Sequence, residues 1–273
     1  MHEPISADQM MEHSTLMNTE NLKYSTDAIA RYFSSHRVRW DQFYESERVV
    51  IAELGLTEKS AVLDVGCGCG GLGLALHEKF GVTSYTGVEI NRQACEVAKV
   101  LNPVGTFLNE DILDVTNTAI AGETFETVFS LSCVDWNVCF TKMLKKSFNL
   151  VAKGGRFVAS FRLTDRPGLS DLAQTYQFIN YDGVKTGEIA AYVVLNLDDL
   201  LRQLFQLPVS SISAYGYWGS PGPTAVTPYD RLCFAVFVIE KAVGPRPAEP
   251  ALKLRLPPDL MAKTAWAGRN WSI

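Results

Sequence analysis

The sequence predicts an open α/β fold, in which a doubly wound, mostly parallel sheet ends in an antiparallel hairpin. Three observations favour this fold class. Apolar runs of strand length alternate with runs of helix length between residues 61 and 161. A cluster of glycines separates the first strand of this series from its first helix. The β-α units are too few to close an eight-fold barrel, so the sheet is expected to stay open.

The elements are predicted in order along the chain. Two helices precede the first strand, and the clearer one has Ser46 as its N-cap, an apolar period from 47 to 54 and Gly55 beyond its end. Strands are predicted at 61–65, 84–89, 106–108, 127–131 and 156–161, and helices at 71–80, 92–101 and 137–151. A helix capped by Asn196 follows, and strands at 210–217 and 232–240 form the terminal hairpin.

Four regions are expected from these patterns. Residues 1–25 lack a hydrophobic period and are predicted to form a flexible arm, and residues 26–55 form an N-terminal helical lid segment. Residues 56–242 form the α/β domain, with an insertion at 163–195 where the alternation breaks. Residues 243–273 form a tail, which holds five of the twelve prolines and is expected to be extended.

Composition excludes several function classes. The chain has 25 Lys and Arg against 30 Asp and Glu, a net charge of −5, which disfavours nucleic acid as a partner. Apolar runs stay below the length that spans a bilayer, and the first residues lack a secretory signal pattern. The six cysteines lack zinc spacing. We therefore expect a cytoplasmic protein with reduced thiols, no metal site, no membrane partner and no nucleic-acid partner.

The glycine cluster predicts a ligand site at the first strand-to-helix turn. Five glycines fall within residues 66–73, and Gly66, Gly68 and Gly71 satisfy the pattern G-x-G-x-x-G. Such a turn lets a ligand approach the backbone closely at a helix N-terminus. The pattern alone suits a nicotinamide dinucleotide as well as an adenosyl cofactor.

Three carboxylates at successive strand ends separate these cofactors. Asp64 ends the first strand, Glu89 the second, and Asp111 follows the third. Glu89 is placed to accept both hydroxyl protons of a ribose, which either cofactor offers. An adenosyl-methionine site also uses an acid at Asp111, where it can accept from an adenine amino group, and a nicotinamide site has no special need of it.

With these residues in view, the chain resembles class I S-adenosylmethionine-dependent methyltransferases. The resemblance lies in VLDVGCGCG at 62–70, TGVEIN at 86–91, NEDI at 109–112 and VAKGGRFV at 151–158, and the terminal hairpin extends it to residue 240. It implies a Rossmann-like sheet of seven strands, with the last strand antiparallel beside the fifth. It also implies S-adenosyl-L-methionine as cofactor, S-adenosyl-L-homocysteine as product, and 56–242 as the cofactor-binding domain.

The resemblance assigns roles to individual positions. Asp64 and Gly66 would lie near the methionine moiety on the turn that also holds Gly68 and Gly70. Glu89 would bind the ribose. Asp111 and Ile112 would hold the adenine, and the backbone carbonyl of Ser132 would receive the methionine ammonium.

Candidates for the acceptor site follow the fourth strand and precede the first. Asp135 and Asn137 are predicted to contact the substrate, although Asp135 also suits a helix cap. His36, within an aromatic cluster of the lid segment, is the candidate base. Arg162 and Arg166 would indicate an anionic substrate if they faced the site. Cys67 and Cys69 are interpreted as small side chains beside the cofactor.

These observations predict a methyltransferase that acts on a small molecule by in-line displacement. The segment after the fourth strand lacks the paired prolines of nucleic-acid amino-methyltransferases. A nicotinamide-dependent oxidoreductase, a non-catalytic cofactor-binding scaffold and a protein-directed methyltransferase remain as alternatives. The acceptor atom and the oligomeric state, including a homo-oligomer, stay open.

Overall fold

The computed structural model describes residues 27–114, 120–180 and 183–265. The predicted arm at 1–25, Tyr181 of the insertion, and Trp266 and Trp271 of the tail lie outside the described residues.

Twelve strands are present in the described ranges. They are β1 (Ala61–Val65), β2 (Ser84–Val88), β3 (Thr106–Leu108), β4 (Phe125–Ser130), β5 (Val151–Thr164), β6 (Tyr176–Phe178), β7 (Ile189–Ala191), β8 (Leu195–Asn196), β9 (Val209–Gly219), β10 (Ala225–Val226), β11 (Leu232–Lys241) and β12 (Ala251–Arg255).

Seven α-helices accompany these strands in the described ranges. They are α1 (Ala28–Phe33), α2 (Glu45–Ala52), α3 (Gly71–Phe80), α4 (Arg92–Leu101), α5 (Phe140–Asn149), α6 (Leu197–Leu204) and α7 (Pro258–Met261). Short 3₁₀ turns lie at Trp40–Gln42, Ile112–Asp114 and Val134–Trp136.

Nine of the described strands form the central sheet, whose order is β12-β9-β11-β5-β4-β1-β2-β3 with β8 beside β5. Strands β1 to β5 are parallel, and β11 lies antiparallel between β5 and β9. The predicted fold class, with its antiparallel terminal hairpin, is confirmed.

The strand count exceeds the predicted seven because β8 and β12 join the sheet. Strand β12 pairs in parallel with β9, so this part of the tail is an edge strand rather than a segment crossing the surface. Its residue Leu254 is buried in the main core cluster, which explains why the segment adds to the sheet.

Helix boundaries follow local capping chemistry. The predicted helices at 71–80 and 92–101 are confirmed as α3 and α4. Asn196 caps α6 as predicted, since its side-chain oxygen accepts the N–H groups of Asp198 and Asp199. The prediction of Ser46 as an N-cap is wrong. Helix α2 begins at Glu45, because the carboxylate of Glu47 accepts the backbone N–H of Tyr44 at 2.9 Å and fixes the start two residues earlier.

Apolar clusters cover both faces of the sheet. One face packs against α5 and α6, where Leu144 and Leu200 are buried. The other packs against α2, α3 and α4, where Ile51, Leu76 and Ala98 are buried. Each Leu or Ile buried in this way contributes about 1.5–3 kcal/mol to stability, so the helices are fixed on the sheet.

Strands β6 and β7 of the insertion form a second, small antiparallel sheet with β10, which lies between β9 and β11 in the chain. Helix α1 of the lid segment meets this sheet in an apolar cluster that joins Ile29 to Ile179 and Ala190, with Phe33 and Trp136 packed against it. The lid segment and the insertion therefore close over the same end of the main sheet. Among the described residues, no helix has both the length and the apolar character to cross a membrane.

Candidate active site

A cavity opens at the carboxyl ends of β1, β2, β3 and β4. Strand order reverses at β1, which lies between β4 and β2, and open α/β sheets bind ligands at such a switch point. The cavity encloses about 1180 Å³ including its mouth. Its wall combines the glycine turn, the strand ends, the lid segment and the start of α5.

The glycine turn presents bare backbone to this cavity. Gly66 and Gly68 have φ of 75° and 54°, in the left-handed region. A Cβ on Gly66 would lie 2.3 Å from Cys133 Sγ, whereas a Cβ on Gly68 would meet nothing within 4 Å. The turn is thus packed against protein on one side and open on the other, so a ligand can lie directly on the backbone at Gly68.

Gly70 has a different position from the one predicted. It precedes the first residue of α3 and does not line the cavity. A Cβ there would lie 2.7 Å from the ring of Phe107, so this glycine lets α3 approach the sheet. In this structure Gly70 therefore serves the packing of α3 on the sheet.

Glu89 lies at the cavity wall just beyond β2. Its two carboxylate oxygens accept the backbone N–H groups of Gly68 and Asn91, each at 2.8 Å. Burial raises the pKa of Glu89, and the N–H groups of Asn91 and Gly68 oppose that rise. Each oxygen has a second lone pair, so the carboxylate can still accept hydroxyl protons from a ligand.

Asp64 also lines the cavity, at the end of β1, and is buried. Its Oδ2 accepts the hydroxyl proton of Tyr85 at 2.5 Å. Burial raises the pKa of Asp64 to about 7, although the Tyr85 hydrogen bond and the charge of Arg37 lower it. The charge of Asp64 therefore changes near neutral pH.

The segment after β3 departs from the prediction by one residue. Asp111 does not line the cavity, and its Oδ1 accepts the backbone N–H of Leu113 at 2.8 Å in the 3₁₀ turn. Glu110 and Ile112 line the cavity instead. Of the two residues predicted to hold the adenine, Ile112 thus lines the cavity and Asp111 does not.

Two predicted residues after β4 line the cavity. Ser132 has φ of 52°, and its N–H donates to Ser160 Oγ at 2.6 Å. Asn137 is buried, and its side-chain oxygen accepts the N–H of Cys139 at 2.7 Å. Its Nδ2 lies 3.3 Å from Met143 Sδ. These bonds fix the shape of the loop that faces the cavity.

Asp135, which was predicted to contact the substrate, does not line the cavity. Its carboxylate is buried and pairs with Arg162, whose Nε lies 2.7 Å from Oδ2 and whose Nη2 donates to the Asp135 carbonyl at 2.6 Å. The guanidinium lies over the ring of Tyr192 at 3.9 Å and near that of Trp136 at 5.2 Å. The ion pair supports the cavity wall from behind.

Arg162 of β5 and Arg166 of the insertion do not indicate an anionic substrate. Arg162 is committed to Asp135, and Arg166 lies over the ring of Tyr229 and donates to the Pro228 carbonyl. Neither arginine lines the cavity.

His36 lines the cavity from the lid segment, and its ring stacks on Tyr32 at 3.9 Å between centroids. Its Nδ1 lies 2.9 Å from the Tyr32 carbonyl oxygen. Nδ1 also lies 3.1 Å from Ser35 Oγ. In the neutral tautomer that carries its proton on Nδ1, this nitrogen donates to the carbonyl and the lone pair is on Nε2.

Arg37, Tyr85 and Glu110 belong to the site and were not predicted. Both terminal nitrogens of Arg37 lie 2.9 Å from the carboxylate oxygens of Glu47, and the Arg37 carbonyl packs against Gly71. These contacts join separate segments of the chain, so no local sequence pattern predicts them. Cys67 and Cys69 line the cavity too, and burial raises the pKa of Cys69 to about 12, which keeps it a neutral thiol.

Comparison with known families identifies the domain around this cavity. Residues 62–155, which run from β1 into β5, match a family model described as a methyltransferase domain. Residues 62–155 therefore form a methyltransferase domain, and the chain is similar to class I S-adenosylmethionine-dependent methyltransferases. The matched range contains the glycine turn, the strand-end acids and the loop after β4.

Solved structures show that other methyltransferases share this fold. A 1,6-didemethyltoxoflavin N1-methyltransferase from Burkholderia thailandensis, crystallised with 1,6-didemethyltoxoflavin and S-adenosylhomocysteine, aligns with a TM-score of 0.53 and 16% identity over 89% of this chain and 93% of its own. An S-adenosylmethionine-dependent methyltransferase from Methanosarcina mazei gives 0.52 and 15% identity over 74% and 99%. A search of curated proteins found no match.

The residues of this methyltransferase fit its cofactor. The bare backbone at Gly68 gives a surface for close approach, and the buried carboxylates of Asp64 and Glu89 give acceptors for an ammonium and for hydroxyl groups. When bound, S-adenosylmethionine supplies a methyl group on a sulfonium, with neutral S-adenosylhomocysteine as the leaving product.

Proposed function

We propose that this methyltransferase transfers its methyl group to a small molecule that binds beside the cofactor in the closed part of the cavity. The observation that carries the proposal is the contact between α1 and the insertion, where Ile29 packs with Ile179 and Ala190. Ile29 lines the cavity, so this contact places the insertion behind one of its walls, and a recessed cavity suits a small molecule better than a polypeptide.

Residue roles follow from the geometry. Glu89 would bind the ribose hydroxyls, Asp64 and the carbonyl of Ser132 the methionine ammonium, and Glu110 with Ile112 the adenine. Gly66 and Gly68 would form the floor beneath the cofactor. This division leaves the part of the cavity nearest α1 for the acceptor.

His36 is proposed as the base for an acceptor that carries a proton. Its Nδ1 donates to the Tyr32 carbonyl, so Nε2 is available to take the proton from the acceptor oxygen or nitrogen. The stacked Tyr32 ring holds the imidazole in place. Asn137 is proposed as a polar contact that orients the acceptor.

Two further observations support the proposal. The structural neighbour from Burkholderia thailandensis was crystallised with a small heterocycle as well as S-adenosylhomocysteine. All six cysteines are free thiols, which supports the cytoplasm as the site of action.

The test is the fate of the methyl label. The protein is incubated with S-adenosylmethionine labelled in its methyl group and a cell extract, which is then divided into small-molecule and protein fractions. We expect label in the small-molecule fraction, and we expect His36→Gln to lower kcat by roughly 10²-fold or more with cofactor affinity unchanged. Label in the protein fraction alone would refute the small-molecule acceptor, and absence of any transfer would favour the scaffold.

A further inference from the structure

We propose that the acceptor of this methyltransferase is an uncharged, flat aromatic molecule. The inference rests on the proposed function and deepens it, because it names the chemistry of the small molecule. It concerns the acceptor half of the cavity, which we define as Ile29, Phe33, His36, Trp136, Asn137 and Met143.

The acceptor half comes from different elements than the cofactor half. Its residues lie on α1 and the segment after it, on the loop after β4, and on α5. The acids come instead from the carboxyl ends of the sheet strands, with Asp64 at the end of β1, Glu89 after β2 and Glu110 after β3. The two halves meet at the glycine turn.

The charges around the cavity argue against an anionic acceptor. In the described part of the chain, the charged side chains that line the cavity are Arg37, Asp64, Glu89 and Glu110. Arg37 is the cation of this set, and both of its terminal nitrogens contact Glu47 at 2.9 Å. An anion would therefore be desolvated beside three acids without a free cation to pair with.

A cationic acceptor is disfavoured by position. The lining acids Asp64, Glu89 and Glu110 belong to the cofactor half. None of the residues that define the acceptor half is an Asp or a Glu. A buried cation thus lacks a carboxylate partner there, whereas a neutral molecule needs none.

The aromatic walls favour a flat molecule. Phe33 and Trp136 both line the acceptor half, and both pack against the cluster that joins α1 to the insertion. The indole of Trp136 is backed by the guanidinium of Arg162, which Asp135 and Tyr192 hold from its other sides. A ring fixed in this way gives a rigid planar face. Aromatic ligands that stack on such a face gain more binding free energy than their buried area alone provides.

Four matched probes test the inference in the presence of saturating S-adenosylhomocysteine. They are 2-naphthol, its anionic relative 2-naphthoate, its cationic relative 2-naphthylmethylammonium and its saturated relative decahydro-2-naphthol. Calorimetry is expected to show 2-naphthol binding at least about ten-fold more tightly than each of the others. Equal or tighter binding of a charged or saturated relative would overturn the inference, and so would a lack of 2-naphthol binding while S-adenosylhomocysteine binds.

Variants of Trp136 distinguish the contribution of its aromatic ring from a general loss of packing. Trp136→Leu should weaken 2-naphthol binding about ten-fold and leave S-adenosylhomocysteine affinity within about two-fold, while Trp136→Phe should retain most of the binding. Trp40→Leu is the matched control, since Trp40 packs on Phe80 and does not line the cavity. Equal losses in Trp40→Leu and Trp136→Leu would contradict the assignment. Failure of the proposed function has a different signature, in which label enters protein or S-adenosylhomocysteine does not bind.

Discussion

The carboxylate of Glu89 serves two purposes at the scale of a single residue. It holds the glycine turn through Gly68 and the start of α4 through Asn91, and it faces the cavity. Glu89→Gln leaves one oxygen for two backbone donors and turns an NH₂ group toward one of them. We expect S-adenosylhomocysteine affinity to fall by about 10- to 100-fold in calorimetry, the range of charge-assisted hydrogen bonds.

The control for this variant is Glu96→Gln. Glu96 is exposed and pairs with Lys99 on the surface of α4, so the same chemical change there should leave cofactor affinity unaltered. Unchanged affinity in Glu89→Gln would refute the ribose role.

Asp64 predicts a pH dependence of cofactor binding. Its pKa is raised to about 7 by burial, and the charged groups that face it are Arg37, Glu89 and Glu47, with Tyr85 as its hydrogen-bond donor. The ionised carboxylate attracts the methionine ammonium, so affinity should rise as pH passes from about 6 to 8. Tyr85→Phe removes a contact that lowers this pKa and should move the rise to higher pH, and Asp64→Asn should abolish it.

The check is the dissociation constant of S-adenosylhomocysteine measured at half-unit pH steps. The same group has the opposite effect on the free protein. Because its pKa in the folded state lies above the ordinary value of 3.8, the folded state holds more protons, and this contribution to the free energy of unfolding decreases as pH rises from about 4 to 7. A pH profile that is the same in Asp64→Asn and in the parent would contradict the assignment.

Residue positions were predictable where strand ends decide them. Asp64 lies at the end of β1 and Glu89 directly follows β2, and both line the cavity. Glu110 lines the cavity in place of Asp111, whose carboxylate accepts a backbone N–H in the 3₁₀ turn. The sequence pattern does not reveal such a shift of one residue. The partner of Asp135 is 27 residues away in β5, and such a pairing depends on the register of the sheet.

At the scale of elements, an ion pair fixes the lid segment. Glu47 is almost fully buried in α2, where it pairs with Arg37 and accepts the N–H of Tyr44. Glu47→Gln leaves the Arg37 charge without compensation, so we expect a loss of about 2–4 kcal/mol in the free energy of unfolding, measured with urea. Glu53→Gln, at an exposed pair with Arg255, should cost at most about 1 kcal/mol. Equal losses in the two variants would show that the buried pair does not fix the segment.

Elements with strong local signals were predicted closely. Helices α3 and α4 begin after a glycine turn and an Asn cap, and their limits agree with the sequence pattern. The strands of the small second sheet have two or three residues and carry no period to detect. Strand β12 was missed because prolines flank it, while the alternation that buries Leu254 is only five residues long.

At the scale of the whole molecule, the fold follows from a few local decisions. The glycine turn orients α3 against the sheet, the antiparallel β11 ends the parallel series, and the lid segment and insertion meet over the carboxyl edge. The acceptor half exists only after these distant segments come together. For this reason the cofactor chemistry was predictable from sequence, and the chemistry of the acceptor had to be inferred from the structure.

Binding of the cofactor should stabilise the whole molecule, since a ligand that binds the folded state alone adds about 2.7 kcal/mol at 100 times its dissociation constant. For a chain of 273 residues this corresponds to a rise of about 5–10 °C in the unfolding midpoint. We expect that rise with S-adenosylhomocysteine, a smaller one in Glu89→Gln at the same ligand concentration, and none with NAD or NADP. Calorimetric scans with the three ligands in parallel distinguish an adenosyl cofactor from a nicotinamide cofactor. All three ligands offer ribose hydroxyls to the lining acids. Only the methionine-derived ligand also offers an ammonium, which is proposed to bind beside Asp64. A rise with the dinucleotides alone would restore the oxidoreductase alternative.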